Sequence, residues 1–235
     1  MLCIKEVVNI KCQHCQSETI KFGKTGNKQR YRCKNCKKIQ LSTYKKHAYE
    51  ASINSDIVVH VKEGCGIRNI ARLLRIAAGT VMYRIQKIAD SIRKPAIIME
   101  RIYEVDELKT YIKNKTKECW VICALDKQTK QVVDFKIGAR TKKNLKRVTD
   151  TLLLANCIQI FTDGLDIYRQ IIPAALHKVK RYGTNHIERK NLTIRIHLKR
   201  LNRKTIAFSK SLLMLEACLR IYFWYGAISG MAEMN

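Results

Sequence analysis

Two Cys-x2-Cys pairs, Cys12/Cys15 and Cys33/Cys36, stand seventeen residues apart near the start of the chain. Two knuckles of this spacing bring four thiolates around one tetrahedral ion, and zinc suits four soft ligands without redox chemistry. A segment of about 45 residues cannot build a self-sufficient apolar core, so the ion supplies folding free energy. Incidental buried cysteines would leave the two equal spacings unexplained. The site is closed by protein ligands, which gives the zinc a structural role. Lys28, Arg30, Arg32, Lys34, Lys37 and Lys38 fringe the second pair and suit phosphate. His14, between the first two cysteines, reads as a bystander. Cys3, Cys65, Cys119, Cys123, Cys157 and Cys218 lack ligand spacing and read as small core residues, Cys119 and Cys123 on one strand face.

Charge narrows the partners. The chain sets 46 Lys and Arg against 19 Asp and Glu, a net +27 over 235 residues. Uncompensated, that excess repels itself in a compact chain, so a polyanion is expected, with nucleic acid first and an acidic membrane surface as the rival. No apolar run reaches the roughly 18 residues that span a bilayer. The opening residues carry no signal-peptide core. A cytoplasmic, nucleoid-associated protein is expected, with its cysteines reduced or metal-bound.

Pro95 follows helical periodicity and precedes strand-like alternation, so the main boundary is expected there. Residues 1–46 read as a zinc ribbon, 47–95 as a helix-turn-helix and 96–235 as a mixed α/β domain. In the helical part, Ile67, Ile70, Ala71 and Leu74 keep one face, and Thr80 is the expected cap of a second helix with Val81, Ile85, Ile88 and Ile92 buried. Tyr83, Arg84 and Lys87 then face outward, as residue types that read a DNA groove; the alternative is a helical hairpin with a solvated basic face. Beyond Pro95, strands are expected at about 101–109, 118–125, 131–138 and 157–162, with a turn at 126–130. Helices are expected at 141–155, 184–204 and 209–228, and a short helix and short strand beside Pro173. The order is β-β-β-α-β-α-β-α-α.

Between Ile167 and Leu215 stand twelve Lys and Arg and a single carboxylate, Glu188. Such an acid is a salt-bridge partner or a metal ligand set where phosphate binds. Asp106 lies mid-strand, and Asp163 follows a strand and precedes Gly164, where ligands bind in open α/β sheets. Three carboxylates from two strands and a helix could hold two divalent cations, Mg²⁺ or Mn²⁺, and drive a phosphodiester displacement. Arg195, two helical turns past Glu188 and about 10 Å along the axis, is suited to hold the phosphate. Arg189 and Lys199 are among the cations expected on the DNA backbone. Each acid also has a bland reading. Asp106, with Glu104 and Glu107, could form a polar edge. Asp163 could be a turn former. Glu188 could pair with Arg189, Lys190 or Arg195. Asp126 and Asp134 read as hairpin residues.

The four-cysteine ribbon followed by a helix-turn-helix, Glu104 to Glu107, Thr162-Asp163-Gly164 with Tyr168, and Arg181 to Asn191 continuing through Leu201–Thr205 to Phe208–Ser211 together resemble the bacterial insertion-sequence-one transposases. The resemblance covers nearly the whole chain. It implies an RNase H-like catalytic domain of the DDE type, with family acids on Asp106, Asp163 and Glu188 and a basic partner on Arg195. It further implies a DNA transposase acting on double-stranded element ends and target DNA. Family members often divide the DNA-binding and catalytic parts between two reading frames; here one chain carries both. Because two ends must be held together, a homodimer or higher homo-oligomer is expected, with the apolar helix near Leu212 to Tyr225 as its contact. A zinc-ribbon regulator without catalysis and a structure-selective nuclease of the same fold are the alternatives.

Overall fold

The computed structural model describes residues 10–42, 50 and 52–226. Cys3 lies outside the described residues. The chain divides into two compact units, Met1–Ala51 and Ser52–Asn235.

The first unit holds a three-stranded antiparallel sheet: β1 (Thr19–Thr25), β2 (Lys28–Cys33) and β3 (Ile39–Leu41), in that order. Gly26, at φ 55°, gives the β1–β2 turn the positive φ that a two-residue hairpin needs. Among residues 10–42 only Cys12, Cys33 and Gln40 are buried. Gln40 fills the gap between chain segments, accepting from the Gln13 amide and donating to the Lys11 carbonyl. Residues 10–42 thus hold no apolar core of their own to offset the chain's conformational entropy.

The second unit begins with three helices, α1 (Ile53–Lys62), α2 (Ile67–Leu73) and α3 (Ala78–Ser91). α3 starts two residues before the expected cap Thr80; its N-cap is Ala77, which makes no side-chain cap bond. Val81, Ile85 and Ile88 are buried as the periodicity requires. A mixed five-stranded sheet follows, in the order β6-β5-β4-β7-β8. β4 (Ile102–Tyr111), β5 (Glu118–Asp126) and β6 (Val132–Gly138) form an antiparallel meander. β7 (Gln159–Phe161) and β8 (His177–Lys178) continue in parallel from β4. This mixed sheet fits an RNase H-like domain.

Period-2 alternation gives the sheet two apolar faces. Tyr103, Val105, Ile122 and Ala124 face α4 (Lys142–Leu153) and α5 (Asp166–Ile171). Leu108, Val121, Cys123 and Leu125 face α6 (Asn185–His197) and α7 (Leu212–Trp224). Cys119 joins the second face, so both strand cysteines are core residues. The helix expected over 184–204 breaks at Leu198, whose extended ψ of 92° leads into a short 3₁₀ turn, Lys199–Leu201. That break lets Leu198 and Leu201 both reach the core.

α7 is not free to serve as a dimer contact along its apolar face. Seven of its residues, Met214 to Trp224, are buried, against the sheet on one side and α1 and α3 on the other. Arg220 donates to the Ile92 carbonyl and Lys62 to the Tyr225 carbonyl. Gly64, at φ 72°, packs so closely that a Cβ there would stand 1.9 Å from the His197 carbonyl oxygen. The three-helix segment and the sheet therefore share one unit. No helix among the described residues is long and apolar enough to cross a membrane.

Candidate active site

β4 and β7 pair in parallel at Ile102–Gln159, Tyr103–Ile160 and Glu104–Phe161. β7 then stops, while β4 runs on to Tyr111. Continuing the same register sets Asp163 level with Asp106, at the C-terminal edge where a neighbouring strand has ended and a crevice opens. Gly164, at φ 85°, turns the chain away, and Asp163 Oδ1 accepts from the Leu165 amide.

α6 crosses the face of β4 that carries Glu104, Asp106 and Leu108. Its N-terminus is fixed by Glu104, a fully buried carboxylate. Glu104 accepts from the Ile187 amide at 2.8 Å and from His186 Nδ1 at 2.7 Å, with Lys127 Nζ at 3.6 Å. A carboxylate at a helix N-terminus satisfies an orphan amide and complements the dipole. Lys127 also lies over the Phe161 ring at 4.1 Å. Gly183 packs on the same ring, where a Cβ would stand 2.7 Å from Phe161 Cδ1. The turn before α6 is thereby pinned to the end of β7, and Glu188 enters the crevice from the first turn of α6. We expect Glu104→Leu to cost about 3 kcal/mol, because it strands a buried amide and two basic partners; partial exposure of His186 and Lys127 holds the cost at the low end. Urea denaturation measures it.

Ligand oxygens of Asp106, Glu107 and Asp163 lie within 4.8 Å of one another. Glu188, expected as the third ligand, is not a member of that close cluster; with Asp106, Glu107, Asn191, Arg195, Arg203 and Lys204 it lines an adjoining cleft of about 480 Å³. The Thr184 hydroxyl donates to Glu188 Oε1 at 2.6 Å. Asp106 accepts the Glu107 amide on Oδ1 and the Asn191 amide nitrogen on Oδ2, each at 2.8 Å. Burial raises the Asp106 carboxyl above its ordinary range; those two hydrogen bonds oppose the rise, and the Asp163 and Glu188 charges add to it. Burial likewise raises Glu107, against the Tyr168 hydroxyl (2.5 Å) and Arg140 (3.5 Å). Clustered carboxylates, two of them crowded and buried enough to be raised, offer oxygen-only ligands that suit a hard divalent cation.

Glu107 is the member that sequence reasoning missed. Alternation sends it to the opposite face of β4 from Asp106, and only the early end of β7 lets both carboxylates reach Asp163. Arg195 lines the cleft, yet its guanidinium donates to the carbonyls of Leu201 (3.0 Å) and Lys109 (3.2 Å). It ties the end of α6 to β4. Arg203 and Lys204 are exposed on the cleft wall. Arg189 and Lys199 are exposed on and just after α6. Asp126 does cap its hairpin, accepting from the Gln128 and Thr129 amides. Asp134 instead binds Lys94 and Thr151.

On α3, Tyr83 is 60% exposed, and Lys87, also exposed, lies over its ring. Arg84 is half-buried and donates to Asn54 of α1 at 2.8 Å. In the first unit, the four expected cysteines offer sulfurs within 4.8 Å of one another. Cys12–Cys36 and Cys15–Cys33 are 3.6 and 3.4 Å apart. Disulfides would require about 2 Å, whereas sulfurs about 2.3 Å from one tetrahedral zinc lie roughly 3.8 Å apart. The residues after each pair, Gln16 and Lys37, share a positive φ, 58° and 60°. His14 and Cys36 amides donate to Cys12 and Cys33 sulfurs, both at 3.4 Å. Ser17, through hydroxyl and amide, draws the Cys15 thiol down to about 6. The four sulfurs fit a zinc ion.

Residues 98–224 match the family model described as IS1 transposase. Over 108 residues the chain is 37% identical to insertion element IS1 2 protein InsB of Escherichia coli (strain K12), covering 46% of this chain and 65% of that protein. It is 36% identical over 108 residues to insertion element IS1 protein InsB of Shigella flexneri, covering 46% of this chain and 82% of that protein. The match thus spans 65% of the length of the Escherichia coli relative. Among solved structures, the chain is similar to the HTLV-2 integrase catalytic core domain in complex with magnesium, at 17% identity over 55% of this chain and 86% of that one, with a TM-score of 0.36.

Proposed function

The chain belongs to the IS1 transposase family, and from that premise we propose that it is a DNA transposase whose cleft beside β4 and α6 cuts and rejoins DNA strands. The observation that carries this reading is the convergence of Asp106, Glu107 and Asp163 oxygens within 4.8 Å, two of which, on Asp106 and Glu107, face a cleft that Glu188 also lines and that Arg203 and Lys204 border. Acids hold a cation; bases hold the phosphate that approaches it.

Asp106, Asp163 and Glu188 would be the cation ligands, with Glu107 beside them. A bound Mg²⁺ or Mn²⁺ supplies Lewis acidity and makes a water or 3′-hydroxyl nucleophilic near neutral pH. Arg203 and Lys204 neutralise the DNA backbone at the cleft wall, and Arg189 and Lys199 extend that contact along α6. Arg195 acts on this geometry mainly by fixing the end of α6. Two displacements follow at one site. Water first breaks a phosphodiester at the element end and frees a 3′-hydroxyl. That hydroxyl then attacks a target phosphodiester; one P–O bond forms as one breaks, so no external energy source is required.

The other modules serve recognition. In this reading residues 1–46 are a zinc ribbon and 47–95 a helix-turn-helix that together bind the terminal inverted repeats. Tyr83 and Lys87 read the groove, and Arg84 braces α3 on α1. Two ends imply at least a dimer.

The test is a strand assay on duplex DNA carrying the element ends, with Mg²⁺ and without. Metal-dependent nicking at the ends followed by joined products is expected. Tight end binding with no nicking at any metal concentration would favour a regulator. Nicking without joining would favour a nuclease.

A further inference from the structure

The buried stripe of α6 runs Ile187, Asn191, Ile194, Leu198, continuing to Leu201. Helical spacing calls for an apolar side chain at 191. The chain has asparagine there, only 8% exposed, between neighbours at 0% and 1%. Its Nδ2 donates to Asp106 Oδ2 at 2.8 Å. Its Oδ1 is buried with no hydrogen-bond partner among the described residues. Turning the amide over gives no relief, because oxygen would then face a carboxylate. An orphaned buried acceptor costs stability, and an apolar group of the same shape would remove that cost. Stability therefore does not explain this residue; its one side-chain hydrogen bond among the described residues, to Asp106, does.

We infer that Asn191 is a positioning residue, which holds the Asp106 carboxylate in the orientation that receives the cation. The inference rests on the cleft being a divalent-cation site. With the Glu107 amide on Oδ1 and Asn191 on Oδ2, both oxygens of Asp106 are anchored, so the carboxylate cannot rotate. Each oxygen keeps a lone pair for the ion. The carboxylate is thus set before the ion arrives. Partners of this kind, behind a ligand, commonly change metal affinity by about 10–100-fold.

The test is Mn²⁺ binding to the zinc-purified full chain, followed by electron paramagnetic resonance of the free ion, with thermal melting in parallel. Asn191→Leu is expected to weaken Mn²⁺ binding about tenfold while the melting temperature of the zinc-loaded, Mn²⁺-free chain holds or rises. Should the leucine not fit, Asn191→Ala reads the same loss without demanding space. Unchanged Mn²⁺ affinity in both variants overturns the inference. So does a loss of affinity that merely tracks a falling melting temperature, since that is what a packing role produces. If the unaltered chain binds no Mn²⁺, the cation reading of the cleft fails, and the inference with it.

Discussion

Asp106→Asn is expected to lower Mg²⁺-dependent strand cleavage by about a thousandfold or more, some 4 kcal/mol of transition-state stabilisation, with no loss of thermal stability. Both halves of that expectation come from the same geometry. Asp106 is half-buried among Glu107, Asp163 and Glu188, and burial with the neighbouring charges raises its carboxyl. A charge held in such company destabilises the metal-free fold, so an isosteric neutral amide relieves it. Only a bound cation gives the charge a purpose. Glu188→Gln is expected to behave likewise, because Glu188 is exposed on the cleft and its carboxylate is held, among the described residues, by the Thr184 hydroxyl alone. DNA end binding should survive both changes. Quantified gel cleavage with melting curves reads the two effects; a variant that lost activity and stability together would point to a structural acid.

Zinc removal should have the second large effect. Residues 10–42 bury two cysteines and one glutamine, with no apolar cluster beneath the sheet. Structural zinc contributes on the order of 10 kcal/mol to folding in small thiolate domains. Chelation, or Cys33→Ser, is therefore expected to unfold this unit and abolish end binding, leaving 52–226 folded. Limited trypsin digestion should then cut freely among Lys11 to Lys38 and spare the second unit. Protection of that segment after full chelation would contradict the zinc assignment.

Much of this was legible in the sequence because the signals are local. The two equal cysteine spacings gave the four sulfurs. Alternation and turn residues gave the β-β-β-α-β-α-β-α-α order: the meander strands and the helices α4, α6 and α7 are long enough to show their period, while β7 and β8, of 3 and 2 residues, were marked only by a short apolar run and by Pro173. What escaped depends on distant pairings. Glu104 caps α6 from 83 residues away, a contact no spacing announces. Glu107 joins the cluster only because β7 ends early. Arg195 looks free on a helical wheel, yet the break at Leu198 turns the Leu201 carbonyl back onto its guanidinium. The apolar run of α7 read as an exposed contact because the helices that cover it lie more than a hundred residues earlier. Asn191 was visible as an interruption in an apolar stripe, but its meaning appears only beside Asp106.

The central claim is that the Asp106 cleft performs strand chemistry on DNA. The most direct measurement supplies a duplex already cut at the element end, with a free 3′-hydroxyl, plus target DNA and Mg²⁺, and resolves products on a denaturing gel. The unaltered chain should yield strands covalently joined to the target, and Asp106→Asn, bound to the same ends, should yield none. Joining by Asp106→Asn at the rate of the unaltered chain would contradict the account.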